Sequence, residues 1–374
     1  MPAERRLLLV GAGHAHLHLL KNASRLAHVG YQVTLVAPRW FDYSGTASAT
    51  AVSGRDHAEG RIDVAALTRG RLDHLEALVS DFDLTARTVG TDRETTLAWD
   101  VVSFNIGSVA TVPAGLTVSD SVVPIKPLSS LATLRDRLRE PPPGRGHHVT
   151  VVGGGASGVE LAAHLAARQD VDRVRLFEAG PRLAPSLPPG AAGRLATWLT
   201  RRGVEIRTGV SVCEVDDDRV VLADGSALSH DIAVLATGLG APPLATRADL
   251  GGPGGIPVRA TLQHRHHDDV YAAGDCADFL PERLDRIGVH GVRQGPVLLA
   301  ALEARAEGAA APTYRPARRA LSILDLGSGT ALAARGRWWW LGGSSLVRKR
   351  WIDRRWIAGA TATPPEPGAA CGQP

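Results

Sequence analysis

The sequence predicts an α/β protein in which a β-strand, a glycine-rich turn and a helix occur twice. Between residues 149 and 178, an apolar strand leads into three glycines in the spacing G-x-G-x-x-G, an alanine-rich helix and a second strand. A shorter version of this pattern begins at residue 7. Strands that alternate with helices form parallel sheets that are covered by helices. We therefore predict two Rossmann-like units, followed by a small C-terminal α+β segment.

The composition excludes several classes of protein. A formal net charge of +4 over 374 residues gives no general attraction to nucleic acid. The three cysteines, Cys213, Cys276 and Cys371, lie far apart without a C-x-x-C motif, so we expect neither a disulfide framework nor a local redox dithiol. This usage fits a reducing, cytoplasmic location. No apolar run has the length of a membrane-spanning helix, and we predict no metal site.

The second unit has the residue types that bind an adenine dinucleotide. Gly153 permits the tight turn, Gly155 lets the backbone approach a pyrophosphate, and Gly158 lets the helix pack closely on the strand. The N-terminus of the following helix attracts phosphate charge. The second strand ends at Glu178. Its carboxylate can accept hydrogen bonds from ribose hydroxyls and would repel the 2′-phosphate of NADP, so this unit is predicted to bind NADH.

The first unit departs from the pattern at two positions. Its turn holds Gly11 and Gly13, but His16 occupies the third glycine position. Its second strand ends at Ala37, where an acidic residue is usual. His14 and His16 are either helix residues beside a loop or imidazoles near a phosphate. By itself, this motif leaves open whether the unit binds a dinucleotide, and which group would contact the ribose in place of an acid.

The segments around the two turns predict short elements. Residues 40–54 are small and polar with an aromatic start, which favours a loop that either lies against a flat ring or only connects its neighbours. Before the second unit, the pattern predicts a short helix after residue 61, strands near 76–80, 83–88 and 95–98, a buried strand within 99–108, and a helix over 129–139. After Glu178, it predicts a helix over 191–202, a strand over 204–207, a hairpin of 210–215 with 220–222, and strands closing at 238 and 275.

Polar residues follow the last two of these strands. One strand closes at Thr237-Gly238 and the next at Gly274-Asp275, which would bring a carboxylate to a ligand hydroxyl. A helix over 289–302 then places His290 and Gln294 four residues apart, on one face.

Four motifs together resemble a known superfamily. They are G-A-G-H-A-H at 11–16, D-Y-S-G at 42–45, A-A-G-D-C-A at 272–277 and V-R-Q-G-P at 292–296. With the two glycine turns, they are similar to the two-dinucleotide-binding flavoproteins of the pyridine nucleotide-disulfide oxidoreductase superfamily. Within it, the chain most resembles the type II NADH:quinone oxidoreductases and their bacterial relatives. The resemblance covers roughly residues 5–335.

The resemblance implies FAD on the first unit and NADH on the second. It implies an FAD-binding domain in two parts, 1–121 and 237–312, an NAD(H)-binding domain at 122–236, and a C-terminal segment at 313–374. Asp275 would hold the ribityl chain, and the helix near Arg293 and Gln294 would face the isoalloxazine. The implied cofactor-binding residues are Gly11, Gly13, His14, His16, Gly153, Gly155, Gly158, Glu178, Thr237, Gly238, Gly274, Asp275 and Arg293.

The family chemistry is a hydride transfer from NADH to FAD, followed by electron transfer to a second substrate. Lys126 follows a strand in V-P-I-K-P, where the family places a lysine near the flavin. Glu160 begins the second helix, within reach of a nicotinamide, although it could instead stabilise the helix dipole. His290 and Gln294 occupy the helix face that lines the family's quinone pocket, and His290 could relay a proton. Because no cysteine pair is present, thiol chemistry is not expected.

The C-terminal segment predicts two strands, 321–325 and 330–335, and then a short amphipathic helix. Five of the eight tryptophans lie between 338 and 356, interleaved with arginines. Tryptophan and basic residues together favour peripheral contact of residues 337–359 with an anionic membrane. The alternatives are a homodimer contact or a helix packed on the flavin domain. Residues 358–374 are rich in Pro, Gly and Ala and predict a disordered tail.

These observations predict an FAD-dependent NADH dehydrogenase whose acceptor is a quinone or another small molecule. It would be cytoplasmic, with peripheral attachment to the inner face of the cell membrane as a further expectation. Two alternatives stay open from the sequence. One is an NAD(P)H-dependent reductase of a small electron carrier protein, and the other is a slowly turning-over sensor that binds FAD and NADH.

Overall fold

A computed structural model describes residues 5–53, 59–247, 250–317 and 319–362. Most of the predicted disordered tail, and Cys371, lie outside these residues. The part of that tail that is described, up to residue 361, continues the last helix.

The elements follow one another in the order strand, glycine turn, helix in both units. The first 104 residues contain β1 (Arg5–Val10), α1 (His14–Lys21), α2 (Ala23–His28), β2 (Tyr31–Val36), β3 (Trp40–Asp42), α3 (Ala47–Val52), β4 (Arg61–Asp63), α4 (Val64–Thr68), β5 (Asp73–Leu75), β6 (Val79–Asp83), β7 (Thr88–Thr91), β8 (Thr96–Ala98) and β9 (Val101–Phe104). The middle of the chain contains β10 (Val109–Ala110), β11 (Thr117–Val118), β12 (Val123–Pro124), α5 (Ser130–Arg137), β13 (His147–Val152), α6 (Ala156–Leu165), β14 (Val171–Glu178), α7 (Pro189–Thr200), β15 (Val204–Thr208), β16 (Val212–Val215), β17 (Arg219–Leu222), β18 (Ala227–Ser229) and β19 (Ile232–Leu235). The last third contains β20 (Leu239–Gly240), α8 (Pro243–Arg247), β21 (Ile256–Val258), β22 (Val270–Ala272), a 3₁₀ turn (Gly274–Cys276), β23 (Ala277–Phe279), α9 (Gly288–Glu307), β24 (Ser322–Asp325), β25 (Ala331–Arg335), β26 (Trp338–Gly342) and α10 (Gly343–Thr361).

The first sheet is parallel and has the strand order β22-β9-β1-β2-β5. Its central strand β1 pairs with β2 on one side and β9 on the other, so the strand order reverses at the first glycine turn. Ligands of open α/β sheets bind at such a reversal, beyond the carboxyl ends of the strands. Leu9, Val102 and Tyr271 are completely buried in this sheet. Apolar residues of α1 and α9 belong to the same core.

The second sheet repeats this arrangement. It is parallel with the order β12-β19-β13-β14-β15, and β13 lies between β14 and β19 at the second glycine turn. A smaller sheet, β11-β16-β17-β18, covers one face through Phe177, Val215, Val220 and Leu222. The first sheet takes its strands from residues before 105 and after 269, and the second from 123–235. The domain boundaries at 121, 236 and 312 stay a prediction.

A two-stranded antiparallel ribbon joins the two units. β10 leaves the first sheet after β9, and β20 leaves the second sheet after β19. They pair as Val109 with Gly240 and Ala110 with Leu239. Both crossings between the units therefore run side by side, close to the ends of β9 and β19.

The C-terminal segment forms an antiparallel sheet, β24-β25-β26, and the helix α10. Our prediction of one short amphipathic helix over 337–359 was wrong at its start, because Trp338–Gly342 form the third strand. A run of aromatic residues favours a strand, and Gly336, with φ of 59°, makes the turn that pairs it with β25. One face of the sheet buries Leu324, Leu332 and Ala334 against the second unit.

Two further segments differ from the sequence-based expectation. The strand expected over 83–88 is a turn between β6 and β7, because the Asp83 side chain accepts a hydrogen bond from the Ala86 amide at 2.8 Å and Arg87 takes a φ of 56°. The loop expected over 40–54 contains β3, which pairs with β4, and the short helix α3. Ser48 to Val52 of α3 are buried, so this segment is part of the packed structure where it is described.

Candidate functional site

In the second glycine turn, Gly153 and Gly158 are packed against the backbone, whereas Gly155 has free space beside it. Gly153 has a φ of 114°, and a Cβ atom there would lie 2.2 Å from the Ala236 carbonyl oxygen. A Cβ on Gly158 would lie 1.9 Å from the Gly153 oxygen, whereas at Gly155 it would meet no atom within 4 Å. No side chain caps the start of α6. A pyrophosphate therefore fits this turn, with the helix N-terminus facing it.

Glu178 lies at the end of β14, beside this turn. Its Oε2 accepts a hydrogen bond from the Gly154 amide at 2.8 Å, and its Oε1 accepts one from the Gly180 amide at 2.7 Å. Two backbone donors thus fix the orientation of the carboxylate. Since a carboxylate can accept about four hydrogen bonds, capacity is left for ribose hydroxyls.

Asn105, at the end of β9, supports the first glycine turn and was missed by sequence reasoning. Its Oδ1 accepts hydrogen bonds from the amides of Ala15 and His16 at 2.9 and 3.1 Å, at the start of α1. Its Nδ2 donates to the Ala273 carbonyl at 2.6 Å. A Cβ on Gly13 would lie only 2.5 Å from Asn105 Oδ1. Asn105 therefore connects the first turn to the loop after β22, and it requires glycine at position 13.

His16, at the third glycine position, lies inside the fold. Its Nδ1 contacts the Gly11 carbonyl, its Nε2 lies 2.9 Å from Ser103 Oγ, and burial lowers its pKa to about 4. The neutral ring holds the Gly11 carbonyl of the turn, so we propose that His16 acts on cofactor binding indirectly, through the shape of the turn. Ala37 is buried, and its carbonyl lies 3.0 Å from the His74 Nε2. The group that contacts the adenosine ribose here stays unassigned.

A polar cluster surrounds Asp275, where the loop after β22 meets β9. Ser108 Oγ donates a hydrogen bond to Asp275 Oδ2 at 2.8 Å. The amide of Gly274 donates to Gln294 Oε1 at 2.6 Å, so Gln294 fixes the loop from α9. Burial lowers the pKa of Lys126, while the negative charge of Asp275 acts in the opposite direction. The structure thus places Lys126, Gln294, Asp275 and Ser108 in one region, and their roles toward a cofactor stay a prediction.

Thr237 and Gly238 lie between β19 and β20, directly before the ribbon. Thr237 Oγ1 donates to the Thr111 carbonyl, and the Thr111 amide donates to the Gly238 carbonyl at 3.1 Å. The Ala110 amide donates to the Lys126 carbonyl at 3.2 Å. These hydrogen bonds connect Thr237 and Gly238 to the segment after β10, and they connect β10 to the backbone of Lys126.

His290 and Arg293 both lie on α9 and differ in their exposure. His290 Nδ1 lies 2.8 Å from the Tyr314 hydroxyl, and burial lowers the pKa of this histidine. Arg293, in contrast, is exposed on α9. Tyr314 had no signal in the sequence, because it lies 24 residues further along in an irregular segment.

Glu160 faces the C-terminal segment. Its Oε1 accepts a hydrogen bond from the Asp325 amide at 2.7 Å. Burial raises its pKa to about 7, and the positive charge of Lys349 opposes that rise. A carboxyl group with such a pKa can take up and release a proton at neutral pH.

An aromatic cluster lies over the first glycine turn and includes a residue of α10. The rings of Tyr43 and Trp356 stack with centroids 4.5 Å apart, and the His14 ring lies 5.0 Å from Trp356. Phe41 contacts His14 edge-on at 5.1 Å. Burial lowers the pKa of His14 to about 3, so its ring is neutral. The alternative that the C-terminal helix packs on the first unit is thus correct for this face of α10.

Buried polar groups fix the same helix. Lys349 Nζ donates to the Gly45 carbonyl at 2.6 Å and lies 3.2 Å from Asp353 Oδ2. The Tyr43 hydroxyl donates to Asp353 Oδ1 at 3.0 Å. Since one carboxylate satisfies both Lys349 and Tyr43, the helix has a defined position over the first turn.

A cavity of about 430 Å³ lies between α1, α9 and α10. His14 and Trp356 line it at the first glycine turn, and Trp351 lines it nearer the surface. His18, Lys21 and Arg355 supply its polar lining. Lys21 Nζ donates to the Gly359 carbonyl and so connects α1 to the last turn of α10.

The described cysteines do not form a redox pair. Cys213 is exposed and Cys276 is buried, and both are free. Burial raises the pKa of Cys276 to about 11, and its thiol contacts the carbonyls of Phe104 and Ala273. Among the described residues, no group of three His, Cys, Asp or Glu side chains is placed to hold a metal ion. Nor is any described helix both long and apolar enough to cross a membrane.

The two parallel sheets, their glycine turns and the ribbon define a flavoprotein with two dinucleotide-binding units. The family model described as pyridine nucleotide-disulphide oxidoreductase matches residues 5–296, and the chain belongs to this family. The predicted fold class and superfamily are thereby confirmed, as are FAD and NADH as the cofactors of this family. Both turns fit the pyrophosphate of a dinucleotide, because each has closely packed glycines and is followed by the N-terminus of a helix.

Individual relatives differ in how much of the chain they cover. A type II NADH:quinone oxidoreductase from Haemophilus influenzae is 30% identical over 149 residues, which is 36% of this chain and 34% of that protein. The nitric oxide reductase FlRd-NAD(+) reductase of Salmonella arizonae is 28% identical over 286 residues, 74% of this chain and 73% of its own. The structure of NDH2 from Plasmodium falciparum in complex with NADH has a TM-score of 0.79 at 13% identity, and covers 97% and 99% of the two chains. That structural likeness shows the fold alone.

Proposed function

We propose that this chain is an FAD-dependent oxidoreductase that takes electrons from NADH and delivers them to a quinone. The observation that carries the proposal is the cavity between α1 and α10, which reaches from the surface to the first glycine turn. FAD, when bound, would accept a hydride from NADH and pass electrons to the acceptor. The chain's own residues bind the cofactors, exclude water and supply protons.

Each cofactor has residues suited to hold it. On the first unit, the turn at Gly11 and Gly13 would receive the FAD pyrophosphate, and Asp275 would receive a hydroxyl of the ribityl chain. On the second unit, the turn at Gly155 would receive the NADH pyrophosphate, and Glu178 the ribose hydroxyls. A carboxylate held by two backbone amides favours NADH, because a 2′-phosphate would bring like charges together.

The cavity suits a flat ring with polar substituents. Its aromatic lining, from Trp351, Trp356 and His14, offers faces for stacking. His18, Lys21 and Arg355 offer donors for carbonyl oxygens. A cavity of this size is within the usual range for small-molecule sites, about 300–1,000 Å³.

We propose Glu160 as the group that exchanges the proton accompanying electron transfer. Its pKa of about 7 lets it hold a proton in part of the molecules at neutral pH. Lys349 and Asp353 connect it to Tyr43 of the aromatic cluster, because Asp353 lies 3.2 Å from Lys349 Nζ and accepts a hydrogen bond from the Tyr43 hydroxyl. His290, bonded to Tyr314, is a second proton-exchanging candidate on the α9 side.

The outer surface of the C-terminal segment supports contact with a membrane, where quinones are found. Trp338 and Trp340 are 72% and 64% exposed and stand on the same side of β26, since they are two residues apart. On α10, Val347 and Trp351 are exposed one helical turn apart. Five exposed arginines flank these side chains, namely Arg337, Arg348, Arg350, Arg354 and Arg355. Apolar rings flanked by positive charge fit an anionic lipid surface.

The test fills the cavity and leaves the cofactor sites intact. Ala360 is buried and lines the cavity, so Ala360→Phe should lower quinone reduction about tenfold or more while NADH-dependent reduction of a soluble dye persists. Ala358→Phe, exposed on the same helix, is the matched control. Equal quinone reduction by Ala360→Phe and the unchanged protein would remove this cavity as the acceptor site.

A second candidate function is a reductase of a small electron carrier protein. Its support is the FlRd-NAD(+) reductase, which aligns with about three quarters of both chains, whereas the quinone oxidoreductase aligns with about a third. A carrier protein would accept electrons at the surface, so Ala360→Phe would leave its reduction unchanged. Turnover by NADH with quinone analogues and with carrier proteins, measured side by side, separates the two functions. Slow turnover with both would favour the sensor alternative.

A further inference from the structure

Arg286 donates hydrogen bonds to three backbone carbonyls that are far apart in the sequence. Its Nε donates to Asp275 at 3.0 Å, its Nη1 to Leu239 at 3.2 Å, and its Nη2 to Gly254 at 2.7 Å. The side chain is partly buried, and in the described part of the chain these bonds all end on carbonyl oxygens. A planar guanidinium with five donors can bridge three such acceptors, whereas the compact ammonium of a lysine cannot.

The three carbonyls belong to segments that meet where the two units join. Leu239 lies on β20, one strand of the ribbon that links the units. Asp275 lies in the loop proposed to hold FAD. Gly254 lies in the turn before β21, where a Cβ would come within 2.9 Å of Asp278 Oδ2. Arg286 itself directly precedes Ile287, which begins α9 as its N-cap.

These bonds close a ring of contacts around the junction. Asp275 accepts from Ser108, two residues before Ala110. Ala110 pairs with Leu239 across the ribbon and donates to the Lys126 carbonyl. Arg286 closes the ring, because it donates hydrogen bonds to the carbonyls of both Leu239 and Asp275. The ribbon is only two residue pairs long, so the guanidinium supplies much of what fixes it against the Asp275 loop.

We infer that Arg286 is a positioning residue that sets the relative placement of the two dinucleotide-binding units. This inference rests on the proposed function, in which NADH on the second unit meets FAD on the first. The transfer of a hydride depends steeply on the approach of the two cofactors, and a misplacement of about 1 Å can lower the rate by about 10²-fold. Its three hydrogen bonds end on Asp275, Leu239 and Gly254 and not on either glycine turn, so we expect its effect to be exerted through the ribbon and the loop.

The experiment uses the purified, FAD-containing protein and compares Arg286→Ala and Arg286→Lys with Arg283→Ala. Arg283 is an exposed arginine three residues earlier in the same segment. Stopped-flow absorbance would measure flavin reduction at saturating NADH, and NADH affinity would be measured separately. Amide hydrogen exchange at residues 237–241 would report on the ribbon without any turnover.

We expect both Arg286 variants to retain FAD and NADH affinity but to reduce flavin about 10- to 100-fold more slowly, with faster amide exchange at 237–241. Arg283→Ala should behave like the unchanged protein. The inference is overturned if Arg286→Ala keeps the normal rate and normal exchange, or if Arg286→Lys restores both, since charge alone would then suffice. If Arg286→Ala does not fold, Arg286→Lys alone decides, and loss of FAD from folded Arg286→Lys also overturns the inference. Failure of the unchanged protein to reduce flavin with NADH would instead remove the proposed function, while the exchange result would still test the contact.

Discussion

At the scale of single residues, we propose that Glu178 decides which pyridine nucleotide the second unit prefers. We predict that Glu178→Ala narrows the preference for NADH over NADPH and that Glu178→Arg reverses it. Losing a hydrogen bond to a charged group costs about 1.5–3 kcal/mol, which corresponds to a change of about tenfold or more. The measurement is kcat/KM for both nucleotides with a soluble dye. Equal use of both nucleotides by the unchanged protein would contradict this role of Glu178.

The pKa of Glu160 predicts a dependence of stability on pH. Burial raises that pKa from 4.5 to about 7 in the folded state, so folding favours the protonated form. The stability linked to this group is therefore complete below pH 4.5 and is lost as the pH rises towards 7. A shift of this size corresponds to roughly 3 kcal/mol.

Glu160→Gln removes this titration. Urea unfolding at pH 5 and pH 8 should show that the variant loses less stability over this interval than the unchanged protein. Glu140→Gln, at an exposed position, is the control. An identical change in unfolding free energy for Glu160→Gln and the unchanged protein would contradict a buried carboxyl at this position.

Residue types could be predicted where a local pattern demands them. The spacing of Gly153, Gly155 and Gly158 follows from the backbone of one turn, and the sequence displays it directly. Asn105 and Ser108 could not be predicted, since they act on Ala15 and Asp275, far away along the chain. The role of Arg286 could not be predicted either, because its partners are backbone carbonyls, which every residue type has.

At the scale of elements, the C-terminal helix and strand have an inner face that is packed and an outer face that is exposed. The inner face of α10 packs Trp356 on the first glycine turn, and the outer faces of β26 and α10 expose tryptophans and arginines. A deletion of residues 337–359 would remove both faces at once. Substitutions on the outer faces alone therefore test the membrane contact more sharply, and the homodimer alternative predicts association in the absence of lipid.

We predict that replacing Trp338, Trp340 and Val347 together with serine abolishes co-sedimentation with anionic vesicles. Dye reduction by NADH should persist, because these side chains point away from the core. Each basic residue near such a surface contributes about 1 kcal/mol, so high salt should weaken binding of the unchanged protein. Trp40→Ser, at a 40% exposed tryptophan on another part of the surface, is the control. Absence of the unchanged protein from the vesicle pellet at low salt would contradict the membrane contact.

Element prediction succeeded for the parallel strands and failed in the insertions. Buried runs such as Leu7–Val10 and Val149–Val152 indicated the central strands, because only continuous apolar residues suit a sheet covered on both faces. The strand β26 was missed, because tryptophans interleaved with arginines also fit an amphipathic helix. Its pairing with β25 across the two-residue turn at Gly336 decided the outcome.

At the scale of the whole molecule, two similar units face each other across a short ribbon, with α10 closing one side. The family implies one site for NADH and one for FAD, and we propose that the separate cavity receives the acceptor. The family and the fold followed from the sequence, since both glycine turns are local. The proposed acceptor cavity did not, because α1 precedes α9 and α10, the other two helices that form it, by more than 250 residues.

The most direct test of the account is an anaerobic titration of the purified protein, followed by its visible spectrum. The protein should be yellow with noncovalently bound FAD, and NADH should bleach the flavin absorbance. Adding a quinone analogue should then restore the absorbance, in proportion to the quinone added. A colourless protein that fails to bind added FAD, or a bound flavin that NADH leaves oxidised, would contradict the central claim.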